Sequence, residues 1–229
     1  MGYYIDLKNI SIDKYKEILK SAVLIPSWSV IERDIDKNFD IIKNHKVSNL
    51  DELLLALKDK DKIHEFSKQT GLQEDYLVIL KRVVNGYRQK PNAIKDFTCV
   101  TEDTVVKLEK AGIKDTLRLY DNILTDKRRE ALSNETGISK DEMLKLAKLT
   151  DLSRIRWVNH TFAYVLLEAG YDSAEKVANA DYQELYYAVK KLNEERKIYN
   201  AHIGVRDMKM VVEAAKELKF EIEYQNIES

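Results

Sequence analysis

Apolar residues recur every three or four positions along most of the chain, the spacing of one face of an α-helix. Four such positions predict an amphipathic leading helix within residues 9–23: Ile12, Tyr15, Ile18 and Leu19. Two further stripes follow later in the chain, at Val105, Leu108, Ile113, Leu117 and Tyr120, and at Phe162, Val165, Leu166, Tyr171, Val177 and Leu185. The pattern predicts an all-α fold that buries these positions in its core.

The two end segments alternate with a different period. Residues 3–7 (YYIDL) and 220–224 (FEIEY) show the rough period of two that is typical of β-strands. We expect either a small terminal β-ribbon that pairs the two segments or frayed tails.

A repeat of about 66 residues is the most informative feature of the sequence. SKQTGLQEDYLVILKRV, around Gly71, matches SNETGISKDEMLKLAKL, around Gly137, and more loosely HIGVRDMKMVVEAAKEL, around Gly204. In each match we expect a helix to end at the glycine, which suits the left-handed conformation of that position, and a new helix to begin soon after.

A second landmark has the same period. LEKAGIKDTLRLYD, with Gly112, matches LLEAGYDSAEKVAN, with Gly170, and IKNHKVSNLDELLL has Lys46 at the corresponding place. The distance from this landmark to the next glycine is 25 residues in the first two copies and 34 in the third. We therefore expect an insertion of about nine residues within KLNEERKIYNAHI.

The period divides the chain into five parts. They are an N-terminal extension with the leading helix (1–23), a diverged first repeat (24–90), a second repeat (91–151), a third repeat (152–219) and a C-terminal tail (220–229). Since one repeat buries too little apolar surface to be stable alone, we expect the three to pack side by side.

Composition supports helices and weakens nucleic-acid binding. Glycine (7) and proline (2) are scarce, which favours helices joined by short links over a sheet with many turns. Lysine and arginine total 38 against 39 acidic residues, a net charge of -1. Any contact with nucleic acid would therefore have to come from a local basic patch.

The number of cysteines and the first residues of the chain indicate the cellular compartment in which we expect the protein. Cys99 is the single cysteine, which excludes an internal disulfide framework and favours a reducing compartment. The first residues lack the basic and apolar runs of a signal peptide, and Asp6 stands where an N-myristoylation motif needs serine or threonine. No apolar stretch approaches the roughly 20 residues of a membrane span. We expect a cytoplasmic protein with no membrane partner.

The sequence favours binding over catalysis. Four scattered histidines have no metal-ligand spacing: His45, His64, His160 and His202. Nucleotide-binding and hydrolase motifs do not occur, and the alternating charges of residues 58–62 lack the glycine and terminal glutamate of a calcium loop. Cys99, close to Phe97 and Val100, is interpreted as an inert core thiol. We expect no enzyme activity, no cofactor, no metal and no small-molecule substrate.

Residues 152–198 resemble a bacterial domain family of unknown function that is built from tandem helix-hairpin-helix-like repeats. Their sequence is LSRIRWVNHTFAYVLLEAGYDSAEKVANADYQELYYAVKKLNEERKI. The resemblance is good over residues 94–218 and extends weakly, through the internal repeat, to residues 24–87. It implies three tandem helix-hairpin-helix-like repeats. It implies no particular activity, because the family is itself uncharacterised.

The hairpins depart from the wider helix-hairpin-helix pattern. DNA-binding members hold a phosphate on backbone N–H groups of a glycine-any-glycine hairpin. In this chain larger residues stand at the glycine positions of the second and third hairpins: Cys99 and Thr101, and Trp157 and Asn159, the last followed by Ala163 as the small helix-contact residue. The first hairpin, around Arg33 and Asp34, has no glycine either. These departures put the usual mode of DNA binding in doubt.

Local charge distinguishes the third hairpin from the other two, which are net acidic. Residues 143–164 contain four basic residues against Asp151 alone. The candidate binding patch comprises Lys145, Lys148, Arg154, Arg156, Trp157, Asn159 and His160. One interpretation makes Trp157 the aromatic anchor of a contact surface. The other makes Trp157 a plug between repeats and pairs the arginines with nearby acids.

Two hypotheses of function remain. The first is a non-catalytic scaffold or adaptor that binds another protein, or a second copy of itself, with the third hairpin as the expected contact. The second is weak, largely sequence-independent binding of DNA or RNA through the basic third hairpin.

Overall fold

A computed structural model describes residues 2–22 and 26–224. The regular structure of these residues is helical, with no strand among them, which confirms the all-α prediction. The chain forms two compact units: an N-terminal unit, Ile5–Arg88, and a C-terminal unit that combines residues 2–4 with the described residues from Gln89 onward. Of the helices in the described ranges, none has both the length and the apolarity that crossing a bilayer requires.

In the part of the N-terminal unit that the structure describes, there are five α-helices and two short 3-10 helices. The α-helices are α1 (Ile12–Ser21), α2 (Ile35–Asn44), α3 (Leu50–Ala56), α4 (Lys60–Thr70) and α5 (Glu74–Asn85), and the 3-10 helices are Leu7–Asn9 and Pro26–Glu32. The predicted leading helix is confirmed as α1, whose first turn is capped by the Ser11 hydroxyl. It packs on α2, and its residues Ile12, Tyr15 and Leu19 enter the core of this unit.

The C-terminal unit contains the remaining helices. They are a 3-10 helix at Ile94–Asp96, then α6 (Glu102–Lys110), α7 (Thr116–Tyr120), α8 (Asp126–Thr136), α9 (Lys140–Leu152), α10 (His160–Glu168), α11 (Ala174–Ala178), α12 (Tyr182–Arg196) and α13 (Val205–Ala215). Helix α9 packs against α7, α8 and α10, and α13 packs against α11 and α12. One core cluster of this unit draws residues from α6, α7 and α9 and from both end segments. It includes Tyr3, Leu108, Leu119, Tyr120, Leu146 and Ile222.

Two of the three landmark glycines end helices as predicted. Gly71 closes α4 with φ 75° and Gly137 closes α8 with φ 69°, both in the left-handed region. At the second landmark Lys46, Gly112 and Gly170 also have positive φ, of 62°, 79° and 87°. The sequence predicted this conformation for the helix-ending glycines and not for the second landmark, and the threefold repeat itself remains a prediction.

The prediction for Gly204 is wrong. Its φ is −112°, and it begins α13 instead of ending the preceding helix. The reason is local, because the Gly204 N–H donates to the Asp207 carboxylate at 2.8 Å. The residue that ends α12 in the left-handed conformation is Lys197, with φ 51°. Helix α12 has 15 residues against 11 in α4 and α8, so the predicted insertion region contains a longer helix and the link to α13.

The predicted terminal β-ribbon is also wrong for the described residues. Residues 220–224 form no strand, and Leu7 belongs to a 3-10 helix capped by Asp6. One side chain instead contacts the main chain at both end segments. The guanidinium of Arg154 donates to the carbonyl oxygens of Gly2, Tyr3 and Lys219, which occupies acceptors that a ladder would need.

Candidate functional site

The third hairpin is the seven-residue link between α9 and α10, residues 153–159. Successive turn hydrogen bonds shape it, from Ile155 N to Leu152 O and from Val158 N to Ile155 O, both 3.1 Å. Ile155 and Val158 point into the core and are fully buried. Between them the chain reverses at Trp157, which has φ 74° and thus a left-handed conformation.

Arg154 is buried, so its place in the predicted contact patch is wrong. The residue is only 2 % exposed. Its Nη1 donates to Asp151 at 2.8 Å, and its other nitrogens donate to the three terminal carbonyl oxygens described above. The guanidinium carbon also lies 4.7 Å from the ring centroid of Tyr120. Arg154 therefore joins the two end segments of the chain to the core and offers no surface to a partner while those segments are docked on it.

Asp151, the acid that faces Arg154, receives three hydrogen bonds. They come from Arg154, from the Ala174 N–H at 2.8 Å and from the Tyr224 hydroxyl at 3.1 Å. Burial raises the pKa of Asp151 above its ordinary value, against the opposing effect of Arg154. Burial and the neighbouring Asp151 raise the pKa of Tyr224, so this phenol stays protonated and keeps its donor role.

The other basic residues of the patch are also engaged within the chain. Arg156 pairs with Glu217 at 2.7 Å and Lys148 with Asp172 at 2.8 Å. Lys145 donates to the carbonyl oxygen of Cys99 at 2.6 Å. Two of the four positive charges counted from the local sequence are therefore balanced by acids outside residues 143–164, Glu217 and Asp172. The interpretation that pairs the arginines with acids describes both Arg154 and Arg156.

The polar residues that begin α10 satisfy its first backbone donors. The Asn159 side chain accepts from Phe162 N at 2.9 Å, and Asn92 Oδ1 accepts from His160 N at 3.2 Å. The His160 ring lies 6.1 Å from the ring of Phe97. Two N–H groups that a phosphate would need at this helix end are thus already used by side chains.

Trp157 is the large side chain of the patch that stays accessible, with 42 % of its surface exposed, and Asn159 beside it is exposed as well. The guanidinium carbon of Arg156 lies 5.8 Å from its ring centroid, within the range of a cation–π contact. A left-handed conformation costs a residue other than glycine about 1–2 kcal/mol. The hairpin thus keeps a large aromatic residue at the surface in a conformation that glycine would adopt more easily.

Sequence reasoning missed three residues that shape this hairpin: Asn92, Asp172 and Glu217. Asp172 had a detectable signal, because it follows the Gly170 landmark and carries the charge opposite to Lys148. Glu217 is 61 residues from Arg156 and Asn92 is 68 residues from His160. Neither pairing has a local signature in the sequence.

The structure is that of an all-α protein whose third hairpin exposes Trp157 at the surface. The chain belongs to the family described as "Domain of unknown function (DUF4332)", whose model matches residues 98–218. That range contains the third hairpin and helices α6–α13. Comparisons with curated proteins and with solved structures gave no match.

Proposed function

We propose that the protein is a non-catalytic scaffold or adaptor that binds a protein partner through the third hairpin, with Trp157 as the anchor. The observation that carries the proposal is the exposed, left-handed Trp157 between two fully buried residues. Residues in costly backbone conformations concentrate at functional sites, and exposed tryptophan is the side chain most enriched among binding hot spots.

Charge balance favours a protein partner over nucleic acid. Binding to a phosphate backbone gains its affinity from free lysine and arginine side chains. At this hairpin Arg154, Arg156 and Lys148 already have carboxylate partners. The paired cations leave an aromatic, near-neutral surface, which is the composition of a protein-binding hot spot.

We also infer that the three hairpin-containing segments are copies of one module. The support is the recurrence of left-handed residues at corresponding places, Lys46 with Gly112 and Gly170, and Gly71 with Gly137. The two helix ends also share a side-chain bond, from Ser67 Oγ to Leu72 O and from Ser133 Oγ to Ile138 O. On this proposal only the third module carries an exposed tryptophan at its hairpin, so it alone acts as the anchor.

A comparative capture experiment tests the proposed function. The full-length chain, its Trp157→Gly variant and a matched Tyr187→Ser variant are used as baits, and retained proteins are quantified by mass spectrometry. Tyr187 is a suitable control because its side chain is 66 % exposed on α12, away from the hairpin sequence. We expect a partner that the wild type and Tyr187→Ser retain equally and that Trp157→Gly loses. Equal retention by all three baits, or no specific partner, would contradict the proposal.

A further inference from the structure

Residues 219–224 follow α13 without forming a helix, and we call them the C-terminal strap. The strap runs back over the core of the C-terminal unit. Its central residue, Ile222, is only 7 % exposed and joins the cluster that contains Tyr3, Tyr120 and Ile123. A segment outside the helices therefore completes a core that is otherwise built from helices and their turns.

Among the residues that the structure describes, four polar contacts hold the strap. Its Lys219 carbonyl accepts from Arg154 at 3.0 Å and its Glu221 carboxylate accepts from the Tyr120 hydroxyl at 3.0 Å. The Glu223 N–H donates to Leu124 O at 2.8 Å, and the Tyr224 hydroxyl donates to Asp151 at 3.1 Å. We call the surface formed by Tyr120, Ile123, Leu124, Asp151 and Arg154 the strap groove.

The strap resembles a bound peptide more than an integral element. Within the described part of the chain, its main chain bonds to the groove through one carbonyl and one N–H, those of Lys219 and Glu223. All five residues of the strap groove lie within the family-matched range of 98–218, whereas the strap lies outside it. The family domain thus supplies the groove and the added segment supplies the occupant.

We propose that the strap groove is a peptide-binding site that exchanges the strap for an extended segment of a partner protein. The strap displays the chemistry that such a segment needs. An acidic residue meets the Tyr120 hydroxyl, a branched aliphatic residue enters the core, and a tyrosine two positions later donates to Asp151. The ligand class is an extended peptide with the pattern acidic–aliphatic–acidic–tyrosine.

A partner segment suits this groove better than a second copy of the chain. The tethered strap has an effective concentration in the millimolar range, so a segment with the same contacts gains nothing by replacing it. A second copy offers only that same segment. A partner segment that adds main-chain hydrogen bonds to the two that the strap makes can displace it, as in other cases of extended-peptide recognition.

Peptide binding to full-length protein tests the proposal. A fluorescent peptide of residues 219–224 is titrated by anisotropy with the wild type, with Ile222→Asp and with Phe220→Ser. Ile222→Asp should release the strap, because it places a charge in the core. Phe220→Ser is the matched control, since Phe220 is 45 % exposed and leaves the strap docked. We expect Ile222→Asp to bind the peptide at least about tenfold more tightly than the other two, because its groove is open.

Further measurements in the same experiment test whether the peptide binds in the strap groove and whether this site is separate from the third hairpin. A peptide with aspartate at the Ile222 position should not bind, and adding Trp157→Gly to Ile222→Asp should leave peptide binding unchanged, which separates this site from the proposed hairpin contact. Should Ile222→Asp not fold, millimolar unlabelled peptide should still accelerate hydrogen exchange of the Glu223 amide in the wild type. Absence of saturable binding by a folded Ile222→Asp, or no acceleration of that exchange, overturns the proposal. A wild-type dimer that Ile222→Asp abolishes overturns the choice of a partner segment.

Discussion

The guanidinium of Arg154 lies 2.8 Å from the carboxylate of Asp151, and both side chains are excluded from water. Removing one partner leaves a buried charge without its counter-ion, which typically costs about 3–5 kcal/mol. We predict that Arg154→Met lowers the free energy of unfolding by that amount in urea denaturation. It should also loosen the end segments, because the carbonyl oxygens of Gly2 and Lys219 lose their donor.

An equivalent pair on the surface provides the control. Arg118 pairs with Asp115 at the same sequence separation, but the Arg118 side chain is more than half exposed. We expect Arg118→Met to change the unfolding free energy by at most about 1 kcal/mol. The double variant Asp151→Leu with Arg154→Met should be less destabilised than the sum of the single variants. Additive losses would contradict a coupled buried pair.

Alkaline unfolding should report the burial of Tyr3. Burial raises the pKa of Tyr3 from 10.0 to about 12, although its hydroxyl is bonded to Thr116 at 2.6 Å. The unfolded chain ionises this phenol near pH 10 while the folded chain keeps it neutral. The contribution of the neutral Tyr3 phenol to the free energy of unfolding is therefore complete below pH 10. It is lost as the pH rises toward 12, by about 1.4 kcal/mol per pH unit.

The measurement is urea denaturation at several pH values between 9 and 12. We expect Tyr3→Phe to flatten the decline of the unfolding free energy over this window relative to the wild type. Tyr187→Phe, at a side chain that is 66 % exposed on α12, serves as the matched control. Parallel curves for wild type and Tyr3→Phe would show that Tyr3 does not titrate late.

Gly137 and Gly204 should respond differently to the same substitution. Gly137 has φ 69° and open space where a side chain would start, so Gly137→Ser costs only the left-handed strain of about 1–2 kcal/mol. Gly204 has φ −112° at the start of α13, a position that serine suits. We predict lower stability for Gly137→Ser and unchanged or higher stability for Gly204→Ser in thermal unfolding. Equal losses would contradict the assigned backbone conformations.

Trp157 allows a direct test of strain at the third hairpin. Alanine removes the ring but must keep φ near 74°, whereas glycine removes the ring and relieves the strain. Trp157→Gly should therefore be more stable than Trp157→Ala by about 1 kcal/mol in urea denaturation, the reverse of the usual order. If the alanine variant is the more stable one, the left-handed assignment of Trp157 is incorrect.

Local signals in the sequence predicted much of the fold. The period of apolar residues placed α1, and the threonine–glycine pairs placed the ends of α4 and α8, because helix closure depends on a few consecutive residues. The prediction that a helix ends at Gly204 was wrong for an equally local reason, which the comparison of the repeats did not include. The acid three residues later binds its N–H and turns the position into a helix start.

The candidate site was harder to predict because its charges are balanced over long distances in sequence. Counting residues 143–164 gave four bases against one acid, yet Arg156 pairs with Glu217, which follows it in sequence by 61 residues and four helices, α10–α13. Arg154 bonds to main-chain carbonyl oxygens, which have no sequence signature at all. The exposure of Trp157 likewise follows from tertiary packing.

The central claim is that the basic residues of the third hairpin stabilise the chain itself and that the exposed Trp157 ring anchors a protein partner. Fluorescence anisotropy of short duplex DNA, titrated with full-length protein at low salt, tests it most directly. The account predicts no saturable binding by the wild type. Tight binding that weakens steeply with rising salt, and that Arg156→Glu abolishes without unfolding the chain, would contradict it.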